Sequence, residues 1–336
     1  MQLEVRVETW AYAQPFRITN FEFTHAEVVV VTLRDGDFVG RGEASGVYYL
    51  GETPESMAEQ VQGVRAWVEH GADREDLRGR MPPGGARNAL DAALWDLEAK
   101  RTGVPSWRTA GAPAPRPLRT TFTISAGPPA EMAKAALAYG DGAKAIKLKL
   151  TSEDPAGCVR AVRAARPDAW LGVDANQGLT RAALEAMLPG LAAANVSLIE
   201  QPLPVGEDAA LDGLESPIPL AADESVRSLN DLAALAGRYD VVNIKLDKCG
   251  GLTEGLAMAA AARRLGLKVM VGCMSGTSLA MAPAFVLGQF CDLVDLDGPT
   301  FLARDRAPGA VYEHGDIWCP DALWGGAATV LQGRMR

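Results

Sequence analysis

The chain has 336 residues, 48% of them apolar, which is enough for one large domain and a smaller one. Its formal net charge of -9, from 33 Lys and Arg against 42 Asp and Glu, argues against a nucleic-acid surface, which needs clustered basic residues. Five cysteines without a C-x-x-C pair argue against a disulfide framework and suit a reducing, cytoplasmic setting, and three histidines (His25, His70, His314) away from the strand ends described below disfavour a His-rich zinc site.

In chain order, Leu3, Val5 and Val7 alternate with polar residues, the pattern of a half-buried strand and not of a signal peptide. Ala26 to Leu33 and Phe38 to Glu43 read as two further strands, joined by the turn signal Asp35-Gly36. Thr53-Pro54 opens a helix that the pattern carries to about His70, with Gly71 as its stop. A second helix starts near Ala86, sets Ala89, Leu90, Ala93, Leu94 and Leu97 on one face, and ends at Gly103. Residues 1–113 therefore read as an α+β domain. The run Ala112-Pro113-Ala114-Pro115-Arg116-Pro117 is a stiff linker.

Beyond the linker the pattern becomes alternating strand and helix, with strand ends expected near Ser125, Lys149, Asp174, Gln201, Asp223, Leu246, Cys273 and Asp297. Eight such strands fit a closed barrel over 114–300. The last helix before the final strand runs from Leu279 to Gln289, and no full helix of the same kind follows Pro299. The expected fold is a modified TIM barrel, (β/α)7β, with an α+β capping domain that the tail, 301–336, rejoins. The uncharged stretch Val269 to Phe290 is long enough to span a bilayer, but its Gly, Ser, Thr and Pro residues make it barrel interior instead.

Charges close the apolar runs of this second half. Asp174, Glu200, Asp223 and Lys245 follow one another at intervals of 26, 23 and 22 residues, so a barrel sets them on one rim. Three carboxylates without His or Cys nearby favour a hard divalent cation, Mg²⁺ rather than Zn²⁺. Lys147 and Lys149 are two apart and share a strand face. Two neighbouring ammonium groups disfavour each other's charge, so the pKa of one is expected to fall, making it a usable base. Lys245, four strands further round, faces Lys149 across the rim. Cys273 reads as a packed residue rather than a nucleophile.

The set Lys147-x-Lys149, Asp174-Ala175-Asn176, Glu200-Gln201-Pro202, Ala222-Asp223-Glu224-Ser225 and Ile244-Lys245 resembles the enolase superfamily, in its muconate-lactonizing subgroup. The resemblance implies one Mg²⁺ held by Asp174, Glu200 and Asp223. It implies Lys149 and Lys245 as acid and base on opposite faces of the substrate, with Lys147 supporting the enolate oxygens. The shared chemistry is removal of a proton α to a carboxylate.

Asp295-Leu296-Asp297, followed by Gly298-Pro299-Thr300, resembles the pair with which dipeptide epimerases hold a substrate's α-ammonium. Ala86-Arg87-Asn88-Ala89-Leu90-Asp91 and Val242-Asn243-Ile244-Lys245-Leu246-Asp247-Lys248 extend the likeness to L-Ala-D/L-Glu epimerases of cell-wall (murein) peptide recycling. Selectivity stays open here. Such enzymes often carry an arginine in the first cap loop, where this chain has Arg17, which suits either a glutamate side chain or a strand surface. Phe21 and Phe23, with Tyr48 and Tyr49, suit an apolar partner instead. The rival readings are an epimerase of apolar L-Ala-Xaa dipeptides, an N-acylamino-acid racemase or o-succinylbenzoate synthase, a metal-free Schiff-base lyase and a non-catalytic dipeptide binder. A small-molecule dipeptide is the expected partner, without nucleic acid or membrane, and a homo-oligomer is among the open assembly states.

Overall fold

Two sheets of different kinds organise the chain, whose computed structural model describes residues 1–18, 21–150 and 154–327. The first is antiparallel, of strands β1 (Gln2–Ile18), β2 (Phe21–Asp35) and β3 (Phe38–Ala44). Strands β1 and β2 run well past the predicted segments, and their ladder is interrupted between Ala11 and Phe16, an irregularity that bends the hairpin. Four helices follow: α1 (Pro54–Gly63), α2 (Arg65–Glu69), α3 (Arg74–Arg80) and α4 (Gly85–Thr102). The single helix expected to His70 is thus broken at Val64, and α3 was not foreseen. Thr53 and Ser56 cap α1 reciprocally, as the Thr53-Pro54 signal requires. Leu3, Val29, Val31 and Leu33 of the sheet pack on Met57, Leu77 and the predicted face of α4 to form the cap's core. Gly42 lets α4 come close, since a Cβ there would lie 2.1 Å from the carbonyl oxygen of Ala89.

A short helix α5 (Ser106–Thr109) leads to β4 (Leu118–Arg119) and then into the second sheet. Its parallel strands follow chain order: β5 (Thr121–Ile124), β6 (Ala145–Lys149), β7 (Trp170–Asp174), β8 (Leu198–Glu200), β9 (Leu220–Ala222), β10 (Val241–Lys245), β11 (Lys268–Gly272) and β12 (Leu293–Asp295). The helices between them are α6 (Pro129–Ala138), α7 (Pro155–Ala165), α8 (Arg181–Ala193), α9 (Leu232–Leu235), α10 (Leu246–Cys249), α11 (Leu252–Arg264) and α12 (Ser278–Gly288). The link from β8 to β9 carries a 3₁₀ turn, Asp208–Leu211, in place of an α-helix. This is the expected modified barrel, and Val269 to Phe290 falls in its β11 and α12. No helix among the described residues is long and apolar enough to cross a membrane.

Alternation along the strands explains how charges come to lie inside an apolar barrel. In β10, Val242 and Ile244 face the core between strands and helices, while Val241 joins Leu198, Ala221 and Met270 in an apolar floor within the barrel. Asn243 and Lys245 point the same way as Val241, one and two steps nearer the rim. The barrel's two edge strands, β5 and β12, are joined among the described residues by side chains rather than by a strand ladder. Thr120 Oγ1 accepts from Leu296 N at 2.9 Å, Asp297 Oδ2 accepts from Thr123 N at 2.6 Å, and Thr121 Oγ1 donates to Asp295.

The tail touches both units. Its hairpin, β13 (Val311–Glu313) and β14 (Asp316–Trp318), pairs with β4 beside the barrel. Ala303 N donates to Ala11 O at 2.9 Å, Arg306 binds Glu43 and Glu8, and Trp324 Nε1 donates to Arg41 O at 3.0 Å, all on the cap. The last part of the expected tail, 328–336, lies outside the described residues.

Candidate active site

The three strand-end carboxylates meet at the rim. Asp174, Glu200 and Asp223 are buried, and one oxygen of each lies within 4.8 Å of the other two. The backbone that turns away from two of them is unusual: Asn176, Gln177 and Gln201 have φ of 42°, 66° and 35°, in the left-handed region that non-glycine residues seldom adopt. Gln201 stitches neighbouring strand ends together by accepting from Asp223 N at 2.9 Å and Ser225 N at 3.1 Å. Asn243 donates to Glu200 Oε1 at 2.7 Å, while Glu200 Oε2 is buried without a hydrogen bond. Burial, with the neighbouring Asp174 and Asp223 charges, pushes Glu200 up to about 7 despite Lys147. Three buried acids, with one carboxylate oxygen that makes no hydrogen bond, are a donor set suited to one divalent cation.

Lysines surround the acids. Lys149 Nζ donates to Asp174 Oδ2 at 2.6 Å, and Lys245 Nζ to Asp223 Oδ2 at 2.6 Å. The two come from β6 and β10, four strands apart in the eight-stranded barrel, so they approach the acids from opposite sides. Lys147 binds Asp295 and lies 3.4 Å from Glu200 Oε2. Lys248 donates to Asp223 Oδ1 at 2.5 Å and to Asn243 O at 3.1 Å.

Lys147 is not the lysine of the pair that falls. Burial lowers Lys147, but the fields of Asp295, Glu200 and Asp174 outweigh it and hold the lysine well above its ordinary value. Lys245 is likewise held up, against burial, by Asp223 and Glu200. The acids, not the lysine neighbour, dominate the local field. Asp223 is correspondingly held low: burial opposes its charge, and Lys245 and Lys248 overcome that.

Asp295 and Asp297 line the same cavity, of about 510 Å³, between the rim and the cap. Their environments differ. Asp295 is bound by Thr121 and Lys147, whereas Asp297 accepts from the backbone of Thr123, and burial beside the Asp295 charge pushes it up to about 7. Cys273 also lines the cavity, with burial raising its thiol above the ordinary range.

Arg17 is not among the described residues lining the cavity. It is exposed and paired with Glu22 across the hairpin at 2.5 Å, the strand-surface alternative. The side chain of Phe21 lies outside the described residues, while Phe23, Tyr48 and Tyr49 form part of the cavity wall. His25 reaches the cavity from β2, a position the strand-end repeat did not reveal. Sequence reasoning gave no role to Asn243, Gln201 or Lys248. Asn243 was recoverable, since it stands two residues before Lys245 on one strand and must share its face.

Two family profiles match the chain: "Mandelate racemase / muconate lactonizing enzyme, N-terminal domain" over residues 1–111 and "Enolase C-terminal domain-like" over 130–323. The chain belongs to the mandelate racemase / muconate lactonizing enzyme family of the enolase superfamily. Among members of this family, an L-Ala-D/L-Glu epimerase of Escherichia coli is 41% identical over 94% of this chain and 98% of its own. An N-acetyl-D-glutamate racemase of Pseudoalteromonas is 39% identical, over 89% and 96%. Of solved structures, an enolase family member from Agrobacterium tumefaciens with homology to dipeptide epimerases, with bound sodium and L-Ala-L-Glu, superposes with a TM-score of 0.92. It is 47% identical, over 96% of this chain and 99% of that one. A dipeptide epimerase from Methylococcus capsulatus, complexed with Mg and L-Arg-D-Lys, gives a TM-score of 0.87 at 30% identity, over 94% and 96%. Within the mandelate racemase / muconate lactonizing enzyme family this protein is an isomerase acting on amino acid derivatives, and its similarity lies with the dipeptide epimerases.

Proposed function

We propose that the protein epimerises L-Ala-D/L-Glu at the α-carbon of the C-terminal residue, by a two-base 1,1-proton transfer, in cytoplasmic recycling of murein peptides. The observation that carries this reading is the opposed pair Lys149 and Lys245, each bonded at 2.6 Å to a different acid of one buried triad. The murein substrate is supported by the likeness to the E. coli epimerase and to the A. tumefaciens protein with bound L-Ala-L-Glu.

Asp174, Glu200 and Asp223 would hold one Mg²⁺, as their all-oxygen donor set and a Glu200 Oε2 without a hydrogen bond favour. When bound, the ion supplies positive charge beside the substrate carboxylate, into which electrons move as the Cα–H bond breaks. Lys149 removes the α-proton from one face and Lys245 delivers a proton to the other, with the roles reversed for the other epimer. Each lysine must first leave the carboxylate it binds. Lys147, kept cationic by the acids around it, lies where it can donate to the substrate carboxylate. Asp297, with Asp295, would receive the α-ammonium. Phe23, Tyr48 and Tyr49 of the cap wall the cavity opposite the rim.

Incubation of L-Ala-L-Glu with the enzyme and Mg²⁺ in D₂O is expected to yield L-Ala-D-Glu with deuterium at the glutamate Cα, and EDTA to stop it. Absence of both exchange and epimer would reject the reading. The Pseudoalteromonas relative favours one alternative, a racemase of N-acylamino acids. Faster exchange with N-acetylglutamate than with the dipeptide would select it, because an acylated amine gives Asp297 no cation to meet.

A further inference from the structure

The cap lines the cavity with a tyrosine whose hydroxyl the two-base scheme leaves unused. Tyr49 lies in the loop after β3, its ring edge-on to Tyr48 with centroids 5.2 Å apart, and Tyr48 in turn meets Phe23 at 5.3 Å. The Tyr49 hydroxyl is buried in this aromatic wall and has no hydrogen-bond partner. Phenylalanine would fill the same space without an unmet donor, so the hydroxyl marks a place where a ligand acceptor arrives. A tyrosine phenol is protonated at neutral pH and donates.

The loop is fixed at both ends. Asp247, two residues beyond Lys245, accepts from Ser45 N at 3.0 Å and Gly46 N at 2.8 Å. Glu52 accepts from Val47 N at 2.7 Å and Gly85 N at 3.0 Å. The strand end that presents Lys245 thus also positions Tyr49, and the donor is preorganised.

On the dipeptide reading, on which this inference rests, the rim takes the carboxylate, the α-carbon and the ammonium. The side chain of the C-terminal residue is the part left to face the cap. We propose that Tyr49 determines specificity by donating a hydrogen bond to an acceptor on that side chain. The cavity accordingly selects side chains that end in a carboxylate or carboxamide over alkyl or aromatic ones, although its wall is aromatic.

The test is Tyr49→Phe, assayed with L-Ala-L-Glu, L-Ala-L-Gln and L-Ala-L-Met by deuterium exchange at Cα. The variant should lose about 10- to 100-fold in kcat/KM on the first two. It should stay within about twofold on the third, with Mg²⁺ affinity and melting temperature unchanged. Undiminished activity on L-Ala-L-Glu overturns the proposal, as does an equal loss on all three, which would assign the hydroxyl to the shared backbone. Both outcomes leave the dipeptide reading standing. A wild-type enzyme that exchanges none of the three overturns that reading and this one with it.

Discussion

The rim carries two buried acidic clusters, built from the same residue types and set in different surroundings. Asp174, Glu200 and Asp223 converge from three adjacent strands, and lysines approach from both sides. Asp295 and Asp297 come from a single strand end and are held by Thr121 and Thr123 on the strand across the seam. Three convergent carboxylates make a concave oxygen cage that suits a small hard cation. Two carboxylates on one strand end, one of them paired with Lys147, suit a directional organic cation such as an ammonium. Carboxylate count alone would not separate these roles. Geometry and the identity of the bound partners do.

Substitutions can break this contrast. The largest effect is expected at the bases: Lys149→Ala or Lys245→Ala should each lower epimerisation by about 10³-fold or more, read as L-Ala-D-Glu formed from L-Ala-L-Glu. Full turnover by both variants would end the two-base scheme. Next come paired substitutions, one in each cluster. Glu200→Gln should weaken Mg²⁺ binding by more than about 100-fold in calorimetry. Asp297→Asn should leave that affinity within about twofold and cost about 100-fold in kcat/KM for the dipeptide. Equal effects of the two on metal binding would erase the distinction drawn above.

A smaller, graded effect is expected from pH. Burial raises the metal-free Glu200 from its ordinary 4.5 to about 7, so below about 7 Mg²⁺ must displace a proton. Affinity should therefore fall as pH drops from 8 to 6, by up to about tenfold per unit below the pKa, and a flat profile would contradict it. The smallest effect is expected at Arg17→Ala, which should keep activity on L-Ala-L-Glu within about threefold, because its partner is the exposed Glu22.

The barrel was legible because each apolar run ends at a charge, and strand alternation then fixes which side chains enter the lumen. That logic placed the acids and Lys147, Lys149 and Lys245 together at one rim, where the structure has them. It did not reach the surroundings of Lys147: spacing makes Lys147 and Lys149 neighbours, but it does not reveal that Lys147 binds Asp295 and lies 3.4 Å from Glu200. It also failed in the cap. Residues 8–18 lack the strict alternation that flagged Leu3 to Val7, since β1 is an edge strand and its polar positions face solvent. The roles of Gln201 and Lys248 depend on contacts between different strand ends, which periodicity within one strand does not encode.

The seam between β5 and β12 has a consequence for anyone who would redesign this enzyme. The aspartates proposed to greet the substrate also zip the barrel shut, so altering them to accept a new amine trades recognition against integrity of the scaffold. The Tyr49 hydroxyl has no such double duty, since it makes no hydrogen bond among the described residues. New selectivities should evolve, or be engineered, more readily from the lid side than from the wall that closes the cylinder.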